Sequence, residues 1–85
     1  MNATIEWIRT PPSGIGRPYT TVAHFPNCNY EGSWSLVVEK INGEDKHWEA
    51  KVYFLAQEAP HHLLTHGAEF GLYEGFKCVA NGQIK

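Results

Sequence analysis

Apolar and polar residues alternate along most of the chain, and no ten-residue window keeps apolar residues at helical spacing, which predicts a domain built of strands. Residues 3–8 set Ala3, Ile5 and Trp7 against Thr4 and Glu6. Residues 9–18 carry three prolines and two glycines and read as a long loop. A second strand covers 19–25, rich in Thr, Val and aromatics, and is ended by Pro26, Asn27 and Asn29. Residues 33–40 and 47–55 alternate again around Asn42-Gly43, a tight-turn signal, which predicts a hairpin with a connection longer than two residues and places Trp34 and Trp48 in the core. The tail reads as strands over 68–73 and 76–84 about a Glu74-Gly75 turn, with Phe70, Leu72, Phe76, Cys78 and Ala80, or the alternate set, facing inward. One polar face per strand points to an antiparallel sheet with one solvated side, and closing six such strands into a barrel removes the open edges. The expected fold is all-β, a six-stranded closed antiparallel barrel.

Length and charge narrow the function. With 85 residues, 7 Lys+Arg and 9 Asp+Glu, the chain fits a single domain over 1–85 with a formal net charge of -2. A domain this size buries only roughly 60 to 65% of its unfolded surface, so a deep substrate cavity would consume core that the fold needs. The acidic balance argues against a protein whose main task is binding nucleic acid or anionic lipid, although Arg9, Arg17, Lys40, Lys46, Lys51, Lys77 and Lys85 can still gather on one face. Residues 1–10 interrupt any export-type apolar run with Glu6 and Arg9, and no stretch approaches the ~20 apolar residues of a membrane span, so a cytoplasmic protein is expected. Cys28 and Cys78 are then expected as free thiols, with closure of a long loop the alternative in an oxidising compartment.

The candidate chemistry is sparse. Gly14 and Gly16 form a Gly-x-Gly, but without the further glycine spacing, the Lys-Ser or Lys-Thr and the helix start that a phosphate loop needs, so no nucleotide is expected. His61, His62 and His66 cluster, and His62 and His66 share a face only if 60–65 forms a helical turn, which Pro60 would start. Cys28 could complete a ligand set, yet no Cys-x-x-Cys or His-Glu-x-x-His frame is present, and neither metal nor cofactor is expected. No nucleophile-elbow motif frames a catalytic Ser, Cys or Thr, so the chain is expected not to be an enzyme, and His24 reads as a surface or rim residue. Tyr19, Tyr30, Tyr53 and Tyr73, where they point outward, suit stacking on single-stranded nucleic acid or anchoring a protein.

The C-terminal half has a more specific pattern. Tyr53-Phe54-Leu55, Pro60, Leu63, Gly67, Glu69-Phe70, Leu72, Glu74-Gly75, Lys77, Val79, Gly82 and Ile84 resemble the last strands of domain III, the C-terminal β-barrel of translation elongation factor Tu. Upstream, Gly14, Gly16, Arg17 and Pro18 look like that family's Gly-Gly-Arg loop, and Ile5, Trp7 and Ile8 its first strand, while Phe76 and Ala80 stand where glycines are usual. The resemblance implies a six-stranded closed barrel of the elongation factor Tu domain III type and a binding role without catalysis, because the family's GTPase chemistry lies in a separate domain. It also implies that Gly16, Arg17, Glu74, Gly75 and Lys77 form the RNA- or partner-binding surface, with Arg17 and Lys77 on phosphates and the turn amides at the ribose edge. The expected partner is a protein or tRNA/ribosome-associated RNA linked to translation, with no membrane and no nucleotide. A protein-only adaptor unrelated to translation is the alternative reading, and it predicts a contiguous apolar patch centred on Tyr or Trp. A metal-binding or small hydrolytic domain organised by His61, His62 and His66 is a third.

Overall fold

A computed structural model describes residues 1–12, 17–26 and 34–85. Gly14, Gly16, Cys28 and Tyr30, candidates for the loop, the binding surface, a thiol and a surface aromatic, lie outside the described residues. The strands are β1 (Asn2–Trp7), β2 (Tyr19–His24), β3 (Trp34–Glu44), β4 (His47–Phe54), β5 (Glu69–Glu74) and β6 (Lys77–Ile84). They close into one antiparallel barrel in the order β1-β4-β3-β2-β5-β6, with β6 pairing back onto β1. Among the described residues the helical structure is a single 3-10 turn, His61–Leu63, between β4 and β5.

Alternation produces this barrel directly. β1 and β4 bury every second residue, so Ala3, Ile5, Trp7, Trp48, Ala50, Val52 and Phe54 point inward while Thr4, Glu6, Lys51 and Tyr53 point out. The core is filled mainly by aliphatic side chains. Ile5, Leu36, Leu72, Ile84, Val38, Val52 and Val79 are fully buried, each worth about 1.5–3 kcal/mol relative to exposure. Phe25 joins this core between Phe54 and Phe70, with ring centroids at 5.9 and 5.3 Å. Among the described residues no polar or charged residue is buried, so the barrel interior is packed hydrocarbon.

Three expectations need correction. Asn42-Gly43 is not the turn: β3 continues through a bulge near Ile41 to Glu44, and the chain reverses in two residues at Asp45 and Lys46, with Asp45 taking a positive φ of 54°. Trp34 is only partly buried, packed against the core from its margin. Phe76 does not face inward; it sits in the two-residue turn between β5 and β6 and is fully exposed. Gly75, with φ of 63°, supplies the positive φ that such a turn requires at its first central position. A register shift after Leu72 then pairs Tyr73 with Cys78, so that consecutive residues Val79 and Ala80 are both buried.

Candidate functional site

The β5–β6 turn is held by long-range side-chain bonds. Glu74 ends β5 opposite Lys77, and its Oε2 accepts hydrogen bonds from Arg9 Nη2, just past β1, and from Tyr19 OH, at the start of β2. Tyr19 in turn meets the Trp7 ring edge-on at 5.4 Å, and the Arg9 guanidinium carbon lies 5.9 Å from the Trp7 ring centre. The Tyr19 hydroxyl, then the Arg9 guanidinium, hold the Glu74 carboxyl below its ordinary range. Partial burial, then the bond to Glu74, pushes the Tyr19 phenol up. Trp7 Nε1 and Arg9 Nε have no hydrogen-bond partner among the described residues.

Of the residues expected at the binding surface, Glu74, Gly75 and Lys77 share this turn, and Arg17 is exposed two residues before Tyr19. Arg9 and Phe76, which no sequence pattern marks for binding, belong to the same end of the barrel, and Tyr19, one of the expected surface aromatics, joins them through its hydroxyl. Arg9 and Tyr19 are 65 and 55 residues from Glu74, a separation that no spacing rule connects. At this turn Arg9 is paired with Glu74, and Lys77 stands opposite Glu74 across the β5–β6 pair.

A second feature lies on the outer face of β4, β3, β2 and β5. Val37 pairs with Tyr53 on one side and Thr20 on the other, and in the next row Ser35 lies between Leu55 and Val22, with Val22 paired onward to Tyr73. Tyr73 lies over Gly71, where an added Cβ would come within 2.9 Å of its ring, and meets His24 edge-on at 6.5 Å. Leu55 is 63% exposed and Tyr53 and Val22 38% each, whereas Val37 is 4% exposed although it points outward. No charged side chain enters these two rows; charge begins at the next, where Glu39 pairs with Lys51.

A groove of about 670 Å³ is bordered by residues of β1, β3, β4, β5 and β6 and by Pro26, with Glu6, Glu49 and Glu69 at its exposed or half-exposed positions and the side chains of Ile5, Trp48 and Phe70 buried in the core beneath it. Lys85 pairs with Glu49, and Lys40 lies 5.1 Å over the Trp48 ring. Glu6 and Glu69 have no ion pair among the described residues.

The histidines do not converge. Pro60 precedes the 3-10 turn as expected, but His61 Nε2 bonds the Gln57 carbonyl at 2.8 Å and its ring stands edge-on to Phe54 at 5.7 Å. Among the described residues no three His, Cys, Asp or Glu side chains are grouped as metal ligands would be. Cys78 is half-buried, its thiol directed to the Ala80 carbonyl at 3.5 Å. No helix among the described residues is long and apolar enough to cross a membrane. Comparison of the chain with protein-family models, with curated proteins and with solved structures finds no match.

Proposed function

We propose that this chain is a non-catalytic protein-binding module, and the observation that carries the reading is the uncharged outer face formed by Leu55, Tyr53, Val37, Val22 and Tyr73. A closed barrel has no free edge to extend by a strand, so a partner must meet side chains on a face. Two tyrosines beside exposed aliphatics supply the rigid, amphipathic contacts that dominate protein interfaces. The partner's complementary surface is apolar, because no charge on these rows would specify another kind. The resemblance to domain III of elongation factor Tu points to a component of translation as that partner.

RNA is the second reading, favoured by the fully exposed Phe76 beside Lys77. There Phe76 is free to stack on a base, and Arg17 and Lys77 are free to meet phosphates, whereas Arg9 is committed to Glu74. The test is affinity capture by wild-type protein, by Tyr53→Ser/Leu55→Ser and by Arg17→Ala/Lys77→Ala, each with and without ribonuclease. The protein reading expects a partner that survives ribonuclease and is lost with the first variant only. Retained RNA that is lost with the second variant, whose salt slope falls by up to about two units, would replace it with the RNA reading. Retention identical for all three proteins would refute both.

A further inference from the structure

The chain holds two Asn-Gly pairs, Asn42-Gly43 in β3 and Asn81-Gly82 in β6, and the fold treats them differently. An asparagine loses its amide when the backbone nitrogen of the next residue attacks the side-chain carbonyl, and a glycine there obstructs the attack least because it has no side chain. Both asparagines are exposed, so solvent reaches the two amides alike, and what separates them is whether the following N–H is tied into a ladder. Along β1 and β4 the Val52 N–H bonds the Met1 carbonyl, so alternation turns the Trp48 N–H and carbonyl toward Ile5 on β1. Gly43 stands opposite Trp48 on the other side and therefore shares no ladder bond with it. β2 pairs with β3 only as far as Val38, so no described strand reaches the Gly43 N–H from that side either. The bulge near Ile41 and the charges of Glu39, Lys40 and Glu44 keep this stretch from accepting a further strand. Gly82 is the opposite case: Ile84 bonds toward β5 and Lys85 toward β1, so alternation gives the Gly82 N–H to Phe70 inside the barrel wall.

We infer that Asn42 is a deamidation site of the folded protein and that Asn81 is not. The Gly43 nitrogen gives its proton to solvent base and bonds to Asn42 Cγ; the side-chain amide nitrogen takes up a proton and leaves as ammonia, and a succinimide ring joins residues 42 and 43. Water then opens the ring at either carbonyl, which leaves aspartate or isoaspartate at position 42 and consumes no reactant but water. Opening this end of the β3–β4 hairpin so that the two atoms meet breaks bonds to one described strand, whereas the same movement at Asn81 breaks bonds to both β1 and β5. The product places a new negative charge directly opposite Glu49, whose carboxylate is the partner of Lys85, and isoaspartate also lengthens the β3 backbone there. The uncharged face proposed for protein binding lies on other rows of β3, at Ser35 and Val37, so the modification does not depend on that reading.

The test is incubation of the untagged protein at mildly alkaline pH, native and in concentrated guanidinium chloride, with an unincubated sample as the blank. Tryptic digestion separates the two sites into peptides 41–46 and 78–85, and mass spectrometry reads the conversion of amide to acid in each. In the native protein the Asn42 amide is expected to be lost at least about tenfold faster than the Asn81 amide, with uptake of labelled oxygen from heavy water-oxygen solvent. In the denaturant the two rates should come within about threefold of each other, because the ladder that protects Gly82 is gone. Asn42→Gln should abolish the fast conversion and leave the slow one unchanged. Equal native rates at the two sites, faster loss at Asn81, or a native protein that keeps both amides while the unfolded chain loses them would each overturn the proposal.

Discussion

Gly82 lies opposite Phe70 in the β5–β6 pair, and the Phe70 ring occupies the space where a side chain at 82 would stand. A Cβ there would sit inside van der Waals distance of three ring carbons, so Gly82→Ala forces the ring to retreat by about 1 Å in an interior packed near crystal density. The ring has little room to do so: Phe70 is 2% exposed, and Phe25 packs against it at 5.3 Å. Replacing a strand glycine by alanine should otherwise gain about 0.5–1 kcal/mol, while overpacking costs about 1–3 kcal/mol. The expected net is a loss of about 1–2 kcal/mol, read as a lower urea midpoint with an unchanged slope in tryptophan fluorescence. In a Phe70→Leu background the methyl group has space, and Gly82→Ala should change stability by less than about 0.5 kcal/mol or raise it. A neutral Gly82→Ala in the wild-type background, or an equal loss in both backgrounds, would refute the packing argument.

The remaining predictions concern the turn end and the long hairpin. Because the Glu74 carboxyl is held below its ordinary 4.5, its bonds to Tyr19 and Arg9 stabilise the fold above that pH, and the contribution is lost as pH falls through the depressed folded value. The Tyr19 phenol is raised from 10.0, so its contribution is complete below that pH and is lost as pH rises through the folded value. Melting temperatures of wild type and Glu74→Gln should therefore differ by a constant amount near neutrality and converge in acid; parallel curves down to full protonation would refute the assignment. Gly43 has φ of 127° and its missing Cβ would collide with the His47 backbone, so Gly43→Ala should destabilise by more than about 2 kcal/mol in urea unfolding. A Gly43→Ala within error of wild type would show that β3 is bent differently there.

How much of this is legible in the sequence depends on how far apart the partners are. The inward sets of β1 and β4 follow from alternation alone, because a strand with one buried face must repeat every two residues. The same rule fails at Phe76, since a two-residue turn and the shift after Leu72 break the phase that alternation assumes. Turn chemistry misleads at Asn42-Gly43, where β3 bulges near Ile41, Gly43 pairs with Trp48 inside the hairpin and Asp45 makes the reversal in the left-handed region. Glu74, Gly75 and Lys77 come together in the sequence only through the resemblance to domain III of elongation factor Tu, and no such pattern points to Arg9 and Tyr19, which reach Glu74 through barrel closure. Likewise, Tyr53, Val37, Val22 and Tyr73 form one surface only because the strand order is β4-β3-β2-β5, which no local pattern specifies.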